Sequence, residues 1–96
     1  MRSRRAAIVS TVCNNLAVTL DELGQLSQGI EHYQQAIRLK PNYTEAWMNL
    51  ATDYAKLGQD AQALAAAQKA LALARARGQT SSYGSHLDLF LDRIID

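Results

Sequence analysis

Side chains able to do covalent or acid–base chemistry are few in this sequence, and they do not converge. Cys13 is the single thiol, and the two histidines, His32 and His86, lie far from it and from each other along the chain. A nucleophilic thiol needs a base beside it, and a structural zinc needs about four thiolate or imidazole ligands at short spacings. Neither set assembles. Gly24, Gly29, Gly58, Gly78 and Gly84 match no phosphate-binding spacing. The plain readings remain: Cys13 as a small core hydrophobe, His32 on the outward side of a helix, His86 at the start of the last helix, and Asp21-Glu22 as solvated charge at a helix end. No catalytic, metal or cofactor site is expected, and binding becomes the chemistry to look for.

The whole chain bounds what binds. Its 96 residues fit one domain with a thin core. A hydrophobic share of 48% with 20% charged residues is ordinary for a globular protein. Ten Lys plus Arg against nine Asp plus Glu leave a net charge of +1. That balance lacks the basic field of most nucleic-acid-binding domains, so contacts through Arg2, Arg4, Arg5, Arg75 and Arg77 are not expected to make this one. The apolar run Ala6-Ala7-Ile8-Val9 stops at Ser10-Thr11, too short for a secretory signal, and no run is long enough to span a membrane. One unpaired cysteine fits a reducing, cytoplasmic setting.

The elements that would present a binding surface follow from an internal period of 34. Asn15 and Asn49, Leu16 and Leu50, Ala17 and Ala51, Leu23 and Leu57, Gly24 and Gly58, Gln25 and Gln59, Ala36 and Ala70, and Leu39 and Leu73 are identical pairs at that offset. A fixed period of this length marks stacked supersecondary units. Leu16, Leu20 and Leu23, then Ile30, Tyr33, Ala36 and Ile37, recur at three- and four-residue steps, as a helix burying one face requires. Gly24 and Gly58 follow such runs and read as hairpin turns. Pro41 breaks the second helix; Asn42 is expected to cap the third, with Glu45 completing a capping box. Gly29 inside the second helix should cost about 0.5 to 1 kcal/mol relative to alanine. An alanine-rich fourth helix follows, then a loop over 79–85 and an amphipathic capping helix over 86–95.

The second copy reads Trp47-x-x-Leu50-Ala51-x-x-Tyr54, then Leu57-Gly58, Ala63, Ala67 and Ala70; the first fills those slots with Cys13, Leu16, Ala17, Leu20, Gly24, Gly29, Tyr33, Ala36 and Pro41. This pattern resembles the tetratricopeptide repeat. The resemblance implies an all-α fold of helical hairpins in an α-α superhelix, about five helices in all. Its divisions would be an extension over 1–9 prolonging the first helix, repeats over 10–43 and 44–77, and the loop and capping helix over 78–96. It also implies a concave groove lined by the first helix of each hairpin. Thr11, Asn14, Asn15, Val18, Asp21 and Glu22 would line it from one repeat, and Glu45, Met48, Asn49, Thr52, Ala55 and Lys56 from the next. Asparagines at positions 15 and 49 suit a peptide backbone, because one amide both donates and accepts; an interhelical hydrogen bond is the competing use.

The resemblance implies a non-catalytic protein-binding module, a scaffold or adaptor that takes a peptide or partner helix in the groove. The family's clamp for a terminal carboxylate is absent: Asn14, Val18, Gln79 and Tyr83 stand where it would want Lys, Asn, Lys and Arg. The alternative is an accessory, substrate-presenting segment of a larger enzyme such as a glycosyltransferase. Two repeats fall short of the three or so that a stable array needs. A homodimer is therefore expected, through the first helices or through Leu87, Leu89, Phe90, Leu91 and Ile94 of the capping helix.

Overall fold

A computed structural model describes residues 2–76, with side chains from Arg4 onward. Four helices follow one another: α1 (Arg2–Glu22), α2 (Leu26–Leu39), α3 (Thr44–Lys56) and α4 (Asp60–Ala76), with no strand among the described residues. α1 pairs with α2 and α3 with α4 as two hairpins, and α2 packs on α3 to join them. The first helix begins at Arg2, so residues 2–9 are continuous with it. The loop and fifth helix expected over 78–96, with Leu87, Leu89, Phe90, Leu91 and Ile94, lie outside the described residues.

Both hairpins close by the same turn. Gly24 and Gly58 sit at φ of 81° and 79°, a region costly to any residue with a Cβ. The N–H of Gly24 bonds to the C=O of Asp21 and that of Gln25 to the C=O of Leu20; Gly58 with Ala55 and Gln59 with Tyr54 repeat the arrangement. Each pair forms the Schellman cap, which satisfies carbonyls that the helix end leaves open. Between the hairpins, Trp47 Nε1–H donates to the Pro41 carbonyl at 2.9 Å, and the Lys40 ammonium lies 5.0 Å from the centre of the Tyr43 ring.

The core is built largely from small side chains that let the helices approach closely. Cys13 and Ala17 of α1 meet Ile30, Tyr33 and Ala36 of α2, then Ala46, Met48, Leu50, Ala51 and Tyr54 of α3, and Ala63, Ala66, Ala67 and Ala70 of α4. Ser10 is also fully buried, and its hydroxyl donates to the Ala36 carbonyl at 2.9 Å, tying α1 to α2.

Two local expectations are corrected. Leu16 of α1 and Leu23 just beyond its end are 44% and 66% exposed and Leu20 is half-buried, while Ser10, Cys13, Asn14 and Ala17 point inward. Leu16 has the same place in its repeat as Leu50, which is only 4% exposed. Leu50 shares a cavity wall with Gln34, Ile37 and Arg38 of α2, the helix before its own. Among the described residues no helix stands in that place for α1, so Leu16 faces outward. The capping box is also not formed. Tyr43, not Asn42, is the cap residue of α3, and it makes no side-chain cap bond. This puts Glu45 at the second helical position, one residue short of where the reciprocal bond is made.

Candidate functional site

A cavity of about 250 Å³ opens between the two hairpins on the side of α1 and α3. Val18, Asp21 and Glu22 of α1 form one wall, Asn49, Thr52, Asp53 and Lys56 of α3 the other, and Tyr33 of α2 reaches it from below. The spacing explains the walls: 18, 21 and 22, like 49, 52, 53 and 56, fall at three- and four-residue steps along one side of their helices.

Three carboxyl groups and one ammonium meet here, and two of the acids are withdrawn from water. Asp53 is 1% exposed and Asp21 is half-buried. The Tyr33 hydroxyl, itself at 1% exposure, donates to Asp21 Oδ2 at 2.9 Å. Burial and this acceptor push the Tyr33 phenol far above its ordinary value, so it remains a donor. The other oxygen of that carboxylate, Asp21 Oδ1, and Asp53 Oδ2 are both buried, and no N–H or hydroxyl group reaches them; the hydrogen bond between the two acids is carried by the Asp53 carboxyl proton. Burial chiefly, then the hydrogen bond and negative charge of Asp21, push the Asp53 carboxyl up to about 8, against the opposing pull of the Lys56 ammonium. At neutral pH Asp53 therefore holds a proton.

Gly29 is explained by the same site. A Cβ at this position would collide with Asp21 Oδ1 and come within 3.2 Å of the Ala17 carbonyl oxygen. The glycine thus lets the Asp21 carboxylate lie against the backbone of α2, and its helix cost is the condition for that approach. Asp21 is not the solvated charge expected from sequence; Glu22 beside it is exposed.

The sequence-derived groove residues divide into three groups. Val18, Asn49, Thr52 and Lys56 share the cavity wall, together with Asp21 and Glu22. Thr11, Asn15 and Glu45 are exposed outside it, and Ala55 is half-buried. Asn14 and Met48 are buried at 1% and 5% exposure. Asn49 donates through Nδ2 to Asn14 Oδ1 at 3.4 Å, a long bond across the two hairpins that leaves its amide oxygen open. The hydroxyls of Thr11 and Thr52 are turned back onto their own helices, to the carbonyls of Ala7 and Met48.

Asp53 and Tyr33 were not among the expected site residues. A sequence signal for Asp53 does exist: it stands seven residues after Ala46 and three after Leu50, in the apolar stripe of α3, where a carboxylate must find a partner or a proton. His32 is half-buried on α2 and takes no part in the site. Among the described residues no three His, Cys, Asp or Glu side chains are placed to hold a metal ion, and no helix is long and apolar enough to cross a membrane.

Comparison with known proteins matches the sequence to a repeat family. Residues 20–58 fit the family described as TPR repeat, and residues 44–77 the family described as Tetratricopeptide repeat. The chain is 40% identical over 68 residues to Tetratricopeptide repeat protein 36 of Bos taurus; the match takes in 71% of this chain and 36% of that protein. The chain thus spans little more than a third of the relative's length.

Proposed function

The chain belongs to the tetratricopeptide repeat family, whose repeats are protein–protein interaction modules, and from that premise we propose that it is a non-catalytic scaffold or adaptor whose α1–α3 side receives a peptide or helix of a partner protein. The observation that carries this reading is the grouping of Val18, Asn49, Thr52 and Lys56 around one opening between the hairpins. Val18 offers apolar contact, the free amide oxygen of Asn49 accepts a backbone N–H, and Lys56 adds a charge at the rim. Cys13, buried and unpaired, suits a reducing compartment, and the cytoplasm is the location we assign.

A random peptide library displayed on phage and selected against the full chain tests the reading. Enriched peptides should lose about tenfold in affinity to the Asn49→Ala protein, the equivalent of one or two hydrogen bonds. The Gln62→Ala change on the exposed side of α4 should leave them unaffected. A library that yields no enriched peptide removes the groove from the reading.

A second reading, self-association, is favoured by the outer face of α1. Ile8, Val12 and Leu16 are 60%, 58% and 44% exposed. Their spacing gathers them on one side of the helix, away from Cys13 and Ala17. Two copies paired through α1 would cover this stripe much as α2 covers α3. Light scattering across a concentration series should show twice the chain mass, and Val12→Glu with Leu16→Glu should return the monomer. A wild-type chain that stays monomeric at every concentration rules the dimer out.

A further inference from the structure

The charges of α1 are sorted by end. Arg2, Arg4 and Arg5 stand in its first turn and Asp21 and Glu22 in its last, and residues 6–20 between them carry no charge. No acid lies in the first turn and no base in the last, so both ends oppose the helix dipole, which favours the reverse arrangement. Arg4, Arg5 and Glu22 are exposed, whereas Asp21 accepts the Tyr33 hydroxyl. Between the charged ends runs the apolar stripe of Ile8, Val12 and Leu16 at four-residue steps, with Val9 at its edge. In the second repeat the places of Val12 and Leu16 are taken by Ala46 and Leu50, which are 0% and 4% exposed. The uncovered face of α1 is therefore one that the fold covers where a neighbouring helix is present. A helix basic at one end and acidic at the other is complementary in charge to its own copy turned end for end.

We propose that two copies of the chain pair through α1 in antiparallel orientation about a two-fold axis at Val12, the basic end of each helix beside the acidic end of the other. The inference rests on the self-association reading and fixes its orientation and register. With Val12 on the axis against its counterpart, Ile8 packs on the partner's Leu16 and Leu16 on the partner's Ile8. Arg4 then stands level with the partner's Leu20, two residues from the partner's Glu22, or about 3 Å along the axis at the helical rise. Arg4 and Glu22 are about five turns apart on α1 and so leave it on the same flank, the flank that such an axis brings together beside the seam. Symmetry makes the contact twice. It also sets each basic end near the C-terminal carbonyls of the partner's α1, where positive charge is favoured. Parallel pairing would instead oppose arginine to arginine and glutamate to glutamate.

Light scattering over a concentration series of the full chain, at about 0.1 M and about 1 M salt, reads the dissociation constant of wild type and variants. Arg4→Glu and Glu22→Arg should each weaken the dimer about tenfold, because one reversal makes two like-charge contacts. The two changes together should restore it to within a few-fold of wild type, since the ends have then exchanged signs. At the higher salt the single variants should approach wild type. Each reversal alone suits the helix dipole, so far-UV helicity should hold or rise while the mass falls, which separates lost pairing from lost fold. A dimer dispersed by Val12→Glu with Leu16→Glu but indifferent to the charge reversals keeps self-association and overturns the antiparallel pairing. A double reversal no tighter than the singles does the same. A wild-type chain that stays monomeric, or a dimer unmoved by the two glutamates in the stripe, overturns both.

Discussion

Replacing Asp53 by asparagine is expected to stabilise the protein at neutral and alkaline pH and to flatten its dependence on pH. In the folded chain the carboxyl titrates near 8, against 3.8 for an ordinary aspartate. The native state therefore binds this proton more tightly than the unfolded state. Stability contributed by the group is fully present below about pH 4, declines as the pH rises through the window, and reaches its floor above about pH 8. The slope within the window is about 1.4 kcal/mol per pH unit at most, and the whole decline is on the order of 5 kcal/mol. Asparagine keeps the shape and carries an N–H that can replace the O–H, with no charge to bury. Urea unfolding at a series of pH values is the measurement. The Asp53→Asn protein should be flat across the window and exceed wild type by about 3 kcal/mol above pH 8. A wild-type curve as flat as the variant's would show that Asp53 is ionised in the native state throughout.

Truncating Tyr33 to alanine is expected to produce the largest loss of stability, about 3 to 5 kcal/mol by analogy with other aromatic core side chains. Tyr33 is 1% exposed and touches both the apolar core and the acidic cavity. The change therefore opens a void and leaves Asp21 Oδ2 without its donor. Tyr33→Phe separates the two effects: it keeps the ring, strands the carboxylate, and should cost about 1 to 3 kcal/mol. For a chain whose whole stability is about 5 to 15 kcal/mol, the alanine variant stands near the edge of folding. Urea midpoints of the two variants give the comparison, and equal losses would show that the ring contributes nothing beyond its hydroxyl.

The hairpins were legible in the sequence because their signals are local and repeated. Gly24 and Gly58, with the residues after them, specify the same turn twice, and the alanines of α4 specify a helix without help from tertiary context. Which side of α1 is buried was not legible. Leu16 and Leu50 are identical in type and register, and only the presence of a neighbouring helix makes one buried and the other exposed. The cavity was hidden for a related reason. Comparing positions at an offset of 34 aligns equivalent residues, but residues that meet across α1 and α3 are not equivalent: Asn49 bonds Asn14, 35 apart, rather than its counterpart Asn15. Asp21 and Asp53 are 32 apart and fall in unrelated slots. Gly29, a weak point on propensity alone, is explained only once the carboxylate lying against it is placed.

The paired glycine turns also set how quickly the chain reaches this structure. Each hairpin brings together helices that are adjacent in sequence through a turn of a few residues, so most of the interface within a hairpin closes over short stretches of chain. Low contact order of this kind goes with barriers crossed in about microseconds to milliseconds. During synthesis the first hairpin is complete once residue 39 has emerged, before any of α3 is available to it. Assembly can then run from the N-terminal end, with α2 of the finished hairpin as the template on which the second one docks.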